Sequence, residues 1–263
     1  MEDRKLFKGA AQYYSRYRLG YPPAFFDHIA KMFSLDEKSR ALDLGAGTGQ
    51  LAIPLAKRVK EVIAVDPEKE MLEEGARQAE KQGASNIRWI QSRAEDISDD
   101  LGFFKVTTMG ASFHWMQQDE VLDKIYPLTE NGGGIVICAN VSTMMHNTGK
   151  DAWKDVAWEV IKEFLGEKRR AGDGTYTEPK DRFENIIARS KFQRFQTYTD
   201  TWTVQRTVED ILGYLASTSF ASQRLFGDRL SDFEKTLTER LLKLEPAGTF
   251  TEKAVLEAYL AWK

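Results

Sequence analysis

Residues 41–50 read Ala-Leu-Asp-Leu-Gly-Ala-Gly-Thr-Gly-Gln, and the fold can be worked outward from them. An apolar run carries Asp43 near its end and breaks at once into Gly45, Gly47 and Gly49, after which Leu51-Ala52-Ile53-Pro54-Leu55-Ala56 has the pattern of a helix. Glycines at alternate positions let the backbone turn sharply and approach a ligand that any Cβ would push away. Strand, tight turn and helix form the start of a βαβ unit, whose ligands bind at the carboxyl ends of the strands. Asp43 faces that crevice. A carboxylate there suits a ligand with a cationic amine and suits a pyrophosphate poorly.

A second acid follows at a telling distance. Residues 61–66, Glu-Val-Ile-Ala-Val-Asp, are a β-branched run ending on Asp66, and Pro67 is placed to open the next helix. Asp66 lies 17 residues after Gly49, where the end of the second strand of a βαβ unit can accept hydrogen bonds from ribose hydroxyls. Together the two halves imply a nucleoside-containing cofactor. The dinucleotide fingerprint needs a third glycine three places after the second, and that place is Gln50.

The observed Asp-x-Gly-x-Gly-x-Gly instead resembles the first motif of class I S-adenosylmethionine-dependent methyltransferases. The resemblance implies that Asp43 lies near the methionine part of the cofactor, that Gly45, Gly47 and Gly49 form its turn, that Asp66 binds the ribose and that Met71 packs on the adenine. Residues 87–91, Ile-Arg-Trp-Ile-Gln, make a third strand, and the turn Ser92-Arg93-Ala94-Glu95-Asp96-Ile97 follows. In the family this turn holds the adenine edge through the backbone near Ala94 and an acidic or polar side chain. Where many relatives carry an acid this chain has Arg93, which moves the contact to Glu95. An exposed charged turn is the competing reading for Arg93 and Asp96.

Residues 110–116, Gly-Ala-Ser-Phe-His-Trp-Met, resemble the active-site loop of a small-molecule methyltransferase group that includes trans-aconitate-type enzymes. That resemblance places Ser112 beside the cofactor and Phe113 and Trp115 beside the methyl acceptor. The N-terminal stretch from Ala11 to Pro22 is similar to the lid helix and Tyr-Pro turn of the same group. There Tyr14 and Arg18 would close over the cofactor and Tyr13 would touch the acceptor, while a solvated helix face is the alternative for Arg16.

At 263 residues the chain suits one integrated α/β domain with a substantial core. Strands are expected near 40–44, 61–66, 87–91, 104–109 and 133–139, alternating with helices near 49–59, 67–82 and 117–126. This predicts a doubly wound, Rossmann-like sheet, and the resemblance implies seven strands with a helical substrate cap. Residues 1–140 would hold the lid and the cofactor-binding core, and 141–263 the cap with the last, antiparallel strands of the same sheet. Within the latter, 151–165 reads as a helix capped by Gly166, 168–175 as a mobile loop, 192–204 as a strand and 255–259 as the closing strand. Thr207-Val-Glu-Asp210 and Ser231-Asp-Phe-Glu234 both resemble capping boxes. Gly132-Gly133-Gly134 is expected to be a turn feeding the fifth strand.

The net charge of −3, with 37 basic and 40 acidic residues, argues against a nucleic-acid partner, as does the lack of a basic stripe. The active-site loop also lacks the Asn-Pro-Pro-Tyr or Asp-Pro-Pro-Tyr run of many base and glutamine methylases. No stretch approaches the roughly 18 apolar residues of a membrane span, and the opening Met-Glu-Asp-Arg is no apolar leader. A cytoplasmic protein is expected. One cysteine, Cys138, and three scattered histidines give no disulfide and no metal constellation.

A sulfonium methyl is already activated, so methyl transfer asks for orientation, dryness and, for a protonated acceptor, a base. His114 is the candidate base. Its alternative is shaping the pocket with Trp115, because a carboxylate acceptor would arrive deprotonated. His146 is a candidate acceptor contact or a surface residue, and His28 reads as structural. Trp153, Trp158 and Trp202 are core candidates before they are pocket walls. Three functions stay open: methyl transfer from S-adenosylmethionine to a small molecule such as a carboxylate, leaving S-adenosylhomocysteine; a nicotinamide-dependent oxidoreductase; and an S-adenosylmethionine-binding regulatory protein without transfer activity.

Overall fold

Apolar, β-branched runs between glycine-rich turns build the centre of the molecule. The computed structural model describes residues 6–140, 152–177 and 181–263. Strands β1 (Arg40–Leu44), β2 (Glu61–Asp66) and β3 (Ile87–Gln91) coincide with the expected runs. Helices α1 (Ala11–Tyr17) and α2 (Pro23–Phe33) precede them, and α3 (Ala52–Ala56) and α4 (Lys69–Lys81) are the crossovers. Then come β4 (Phe104–Gly110), α5 (Gln118–Leu128) and β5 (Thr129–Asn140). The later elements are α6 (Ala152–Leu165), the short strands β6 (Arg170–Ala171) and β7 (Gly174–Thr175), α7 (Phe183–Arg189), β8 (Gln193–Thr207), α8 (Val208–Ala216), α9 (Leu230–Leu244) and β9 (Thr249–Trp262).

Seven strands form one sheet in the order β3-β2-β1-β4-β5-β9-β8. β1 pairs in parallel with both β2 and β4, with Asp43 opposite Ala64 on one side and Thr108 on the other. Strand order therefore reverses beside β1, the switch point at which doubly wound sheets bind ligands. β1, β2 and β4 are nearly wholly buried, as expected of parallel strands covered on both faces. Gln205 bonds Thr251 while Phe195 stacks on Tyr259, so β8 runs antiparallel to β9. The structure is the doubly wound, Rossmann-like fold that the sequence predicts.

The chain forms two compact units, each discontinuous in sequence. One comprises Gly20–Ala139, Pro179–Thr199 and Leu256–Lys263 and contains β1 to β4; it is called the sheet unit below. Its core includes Leu42, Ile63, Val65, Phe104, Met109, Ile125, Ile135 and Ile137. The other comprises Met1–Leu19, Asn140–Glu178 and Asp200–Val255, the helical unit, whose core includes Trp153, Val160, Ile211, Leu215, Phe233 and Leu241. Inside the helical unit Glu252, Arg206 and Lys154 are all buried, with Arg206 paired to Glu252 and Lys154 Nζ 3.2 Å from Glu252 Oε1.

Several boundaries differ from expectation. α4 starts at Lys69, after Pro67 and Glu68, because Asp66 Oδ1 accepts the Glu68 N–H (2.9 Å) and holds the chain extended for two more residues. α3 spans five residues, since the turn after Gly49 is not yet helical. Thr207 and Asp210 do form a reciprocal capping box on α8. Ser231 does not cap α9: a 3₁₀ turn at Gly227–Arg229 feeds the helix directly and leaves Ser231 inside it. The polar run 168–175 is a small antiparallel hairpin, with Arg170 opposite Thr175 and Gly172 (φ 56) in its turn. Gly132-Gly133-Gly134 lies inside β5 rather than before it, with a register shift against β4 near Phe104 and Val106.

Candidate active site

The turn after β1 is built by hydrogen bonds that its glycines make possible. Gly45, Gly47 and Gly49 all have positive φ (68, 54 and 84°), a region that penalises any Cβ. The Gly45 and Ala46 N–H groups donate to the Val65 carbonyl at 2.8 and 3.0 Å, which fixes the turn to the end of β2. A Cβ on Gly45 would overlap the Ser112 side chain, coming 2.8 Å from Oγ, and one on Gly49 would come 2.8 Å from the Trp89 ring. Gly75 on α4 faces the same indole at 2.6 Å, so Trp89 occupies a slot between two glycines.

The two acids stand on either side of this turn, both buried. Asp66 Oδ2 accepts the Gly47 N–H (2.8 Å) and Oδ1 accepts the Glu68 N–H (2.9 Å). Each carboxylate oxygen has two lone pairs, so acceptor capacity remains on both. Burial raises the Asp66 pKa, and the two backbone donors oppose the rise. Asp43 Oδ1 accepts the Thr108 hydroxyl proton (2.7 Å), whereas Oδ2 is buried with no hydrogen-bond partner. Burial pushes the Asp43 pKa up to about 7; Thr108 and the Ala52 N–H offset part of this, and the charge of Asp66 adds to it.

The loop after β4 is strained and pinned. Ala111 takes φ 51, unusual for a residue with a Cβ and frequent at functional turns. Its N–H donates to the Cys138 carbonyl (2.7 Å), and the Ser112 hydroxyl donates to the Leu44 carbonyl (2.8 Å). Phe113–Trp115 make one 3₁₀ turn in which the His114 and Trp115 rings lie 4.6 Å apart. Phe113, an expected acceptor contact, is 1 % exposed and packs edge-on against Phe183, among the apolar residues of the sheet unit. Met116, which the sequence reading passed over, reaches back to within 3.3 Å of where a Gly45 Cβ would be.

Met71 and Ala94 are buried apolar residues. Glu95 accepts the Gln117 N–H (2.8 Å) and lies 3.4 Å from Arg93. Burial alone would raise its pKa, but Gln117, the backbone of Glu95 itself and Arg93 together bring it below the ordinary value. Its carboxylate thus already ties the β3 turn to the start of α5, a structural task the sequence did not suggest. Arg93 is accordingly a partner of Glu95 rather than only a solvated charge.

Tyr13, Tyr14 and Arg18 belong to the helical unit. Tyr13 donates to Gln223 (3.0 Å), and Arg18 donates to Ser217 Oγ (2.9 Å) with its guanidinium over the Tyr14 and Tyr214 rings. Trp153 is buried against Tyr214, in keeping with a core role. The His28 ring lies tilted against Tyr198, centroids 4.6 Å apart, within the sheet unit. His146 lies outside the described residues.

Known proteins resemble this chain in sequence and in fold. A family model described as a methyltransferase domain matches residues 41–133, which contain both acids and the glycine turn. An uncharacterized methyltransferase-like protein of Schizosaccharomyces pombe is 30% identical over 176 residues, 62% of this chain and 67% of its own length. The chain belongs to the class I methyltransferases. An uncharacterized methyltransferase of Mycobacterium bovis is 25% identical over 214 residues, covering 81% of this chain and 76% of that one. A solved structure from Anaeromyxobacter dehalogenans, assigned as a type II methyltransferase, superposes with a TM-score of 0.60 at 20% identity, over 94% of this chain and 98% of that chain; it shows the shared fold.

As a methyltransferase the protein is an enzyme, and its family implies S-adenosylmethionine as methyl donor. The residues present fit that donor. The unpartnered Asp43 Oδ2 is a buried acceptor suited to an ammonium group, and the glycine turn leaves open the backbone that side chains would close.

Proposed function

We propose that this methyltransferase transfers the methyl group of S-adenosylmethionine to a small-molecule acceptor, with carboxylic acids the first class to test. The observation that carries the cofactor half is the buried, unpartnered Asp43 Oδ2 at the switch point of the sheet. Support for a small acceptor comes from the near-balanced charge and from the Phe113-His114-Trp115 loop, which lacks the Asn-Pro-Pro-Tyr run.

S-adenosylmethionine supplies, when bound, a methyl group activated by its sulfonium. Asp43 is assigned the ammonium of the methionyl part and Asp66 the ribose hydroxyls, using the lone pairs that Gly47 and Glu68 leave. Because Asp66 also holds the Gly47 N–H, ribose binding and turn shape depend on the same carboxylate. Met71 and Ala94 offer apolar surface for the adenine, and Glu95 can accept from its exocyclic amine only by sharing an oxygen with Gln117 or Arg93. Ser112, fixed on Leu44, keeps the post-β4 loop against Gly45. His114 would take the proton from the attacking atom of a protonated acceptor, and Trp115 would exclude water beside it. An acceptor that arrives as a carboxylate has no proton to give up, and there His114 is left with shaping the pocket.

The test is calorimetric titration with S-adenosylmethionine, S-adenosylhomocysteine and NAD, followed by a screen of carboxylic acids for methyl ester formation by mass spectrometry. Micromolar binding of both sulfur nucleosides is expected. Silence toward both, or preference for NAD, overturns the reading.

A further inference from the structure

The turn that carries His114 is held from outside by a segment that joins the sheet unit late in the chain. We infer that Phe183 and Arg189, at the two ends of α7, are positioning residues for His114, clamping the stretch between β4 and α5 at its start and at its finish. What His114 does there rests on the reading above; the clamp itself rests on contacts within the sheet unit.

The stretch opens on Ala111, whose positive φ persists only where the surroundings fix it. From the sheet side, the Cys138 and Leu44 carbonyls hold Ala111 and Ser112. Those anchors end at Ser112. The next residue, Phe113, is buried edge-on against Phe183 at a centroid distance of 5.4 Å, and Phe183 meets Tyr259 of β9 edge-on at 6.1 Å. Rings packed in series cannot turn independently, so the residue before His114 takes its place from the first residue of α7.

The finish is gripped by the last residue of α7. Arg189 donates to both carboxylate oxygens of Asp119, at 2.8 and 2.9 Å, and also pairs with Asp181. Directly beyond it, Lys191 Nζ lies 3.0 Å from Asp123 and Phe192 packs on Tyr126 at 5.2 Å. Positions 119, 123 and 126 share one face of α5, so three successive contacts run along the helix that starts where the His114 turn ends. An isolated exposed ion pair holds little, but a two-pronged guanidinium followed by a buried ring contact fixes direction as well as distance. α7 is seven residues long, about 10 Å, so one short element delivers both grips. Between them lie His114 and Trp115, with rings 4.6 Å apart. A base must stay within hydrogen-bond reach of the proton it takes, and the clamp confines the backbone that carries it.

Nuclear magnetic resonance reads the position of His114 directly, because the ring current of Trp115 displaces the imidazole signals; those signals are the ones missing from His114→Asn. Arg189→Asp sets like charge against Asp119 and Asp181, and should move the His114 signals toward their place in the unfolded chain. It should also speed amide exchange across residues 113–118 about tenfold. Adding Asp119→Arg to the same chain should reverse both effects. Phe183→Leu, which stays apolar and loses the ring, should displace the same signals from the other end. His114 signals unmoved in either variant, or a displacement that Asp119→Arg does not reverse, overturns the assignment. Titration of the wild type with S-adenosylhomocysteine separates the two readings: no binding removes the task given to His114, whereas unmoved signals remove the clamp.

Discussion

Acidification should empty the cofactor site before it unfolds the protein. Burial raises Asp43 to about 7, so in the ligand-free protein this carboxyl is half protonated at neutrality. A ligand ammonium binds the ionised form, so binding near neutral pH must release a proton. Each pH unit below 7 then weakens the apparent affinity about tenfold, or about 1.4 kcal/mol, reaching about 100-fold at pH 5. At higher pH the ligand's own α-ammonium group loses its proton in turn, so affinity should pass through a maximum on the alkaline side of 7. The assay is titration with S-adenosylhomocysteine from pH 5 to 9, in two buffers of different ionisation enthalpy so that the released proton is counted. Asp43→Asn keeps the size of the side chain and cannot ionise; it should bind weakly at pH 8, with no slope between pH 5 and 7. A flat wild-type profile below pH 7, or the wild-type slope surviving in Asp43→Asn, refutes the reasoning. The sign for stability is the opposite. The unfolded carboxyl loses its proton near 3.8 and the folded one only near 7, so this group's contribution is lost as pH rises between the two. Ligand-free Asp43→Asn should therefore melt above the wild type at pH 8.

Other residues give sharper single outcomes. Asp66→Ala removes the acceptor of the Gly47 N–H and the proposed ribose contact together, and calorimetry should show cofactor binding weaker by about 1–3 kcal/mol. Gly75→Ala drives a methyl group into the edge of the Trp89 ring that Gly49 also faces, and a denaturant titration should show a loss of about 1–3 kcal/mol. His28 is held below the ordinary histidine range by burial and by Lys31, so the unfolded chain takes up its proton first. Stability from this group is complete above pH 6.5 and declines as pH falls through that value; thermal melts of His28→Phe should show a shallower decline. His114→Ala should bind S-adenosylhomocysteine as the wild type does while turnover of a protonated acceptor falls about 10²–10⁴-fold. Normal turnover would remove His114 as the base.

β1 and β2 were readable because a strand buried on both faces is apolar nearly throughout, and both match their runs residue for residue; β3, at the edge of the sheet with no wholly buried residue, also matches. The two strands at the other edge were less legible. β8 carries polar residues along its length, and β9 alternates between the two classes, so only the apolar part of each stood out; β9 extends from Thr249 rather than from Val255. The Ser231 motif misled because a capping box describes a bond, and the bond depends on where the preceding 3₁₀ turn ends. At the site, Asp43, Asp66 and the glycines were legible because their spacing along the chain is the signal. The second task of Asp66, the tie between Glu95 and Gln117 and the Trp89 slot all arise from pairings between distant segments, and no local pattern announces them.

The interleaving of the two units bears on synthesis at the ribosome. α1 precedes every strand of the sheet in the chain, yet its partners come late: Tyr17 packs onto Gly213, and Arg16 pairs with Glu209, within the same unit. The stretch from Gly20 to Ala139, by contrast, carries five adjacent parallel strands in one uninterrupted run. Vectorial growth therefore favours early assembly of the sheet unit, while the aromatic helix α1 waits, unpaired, for nearly two hundred further residues to be translated. Chains stalled before α8 is made would display Tyr13, Tyr14 and Tyr17 to chaperones and proteases.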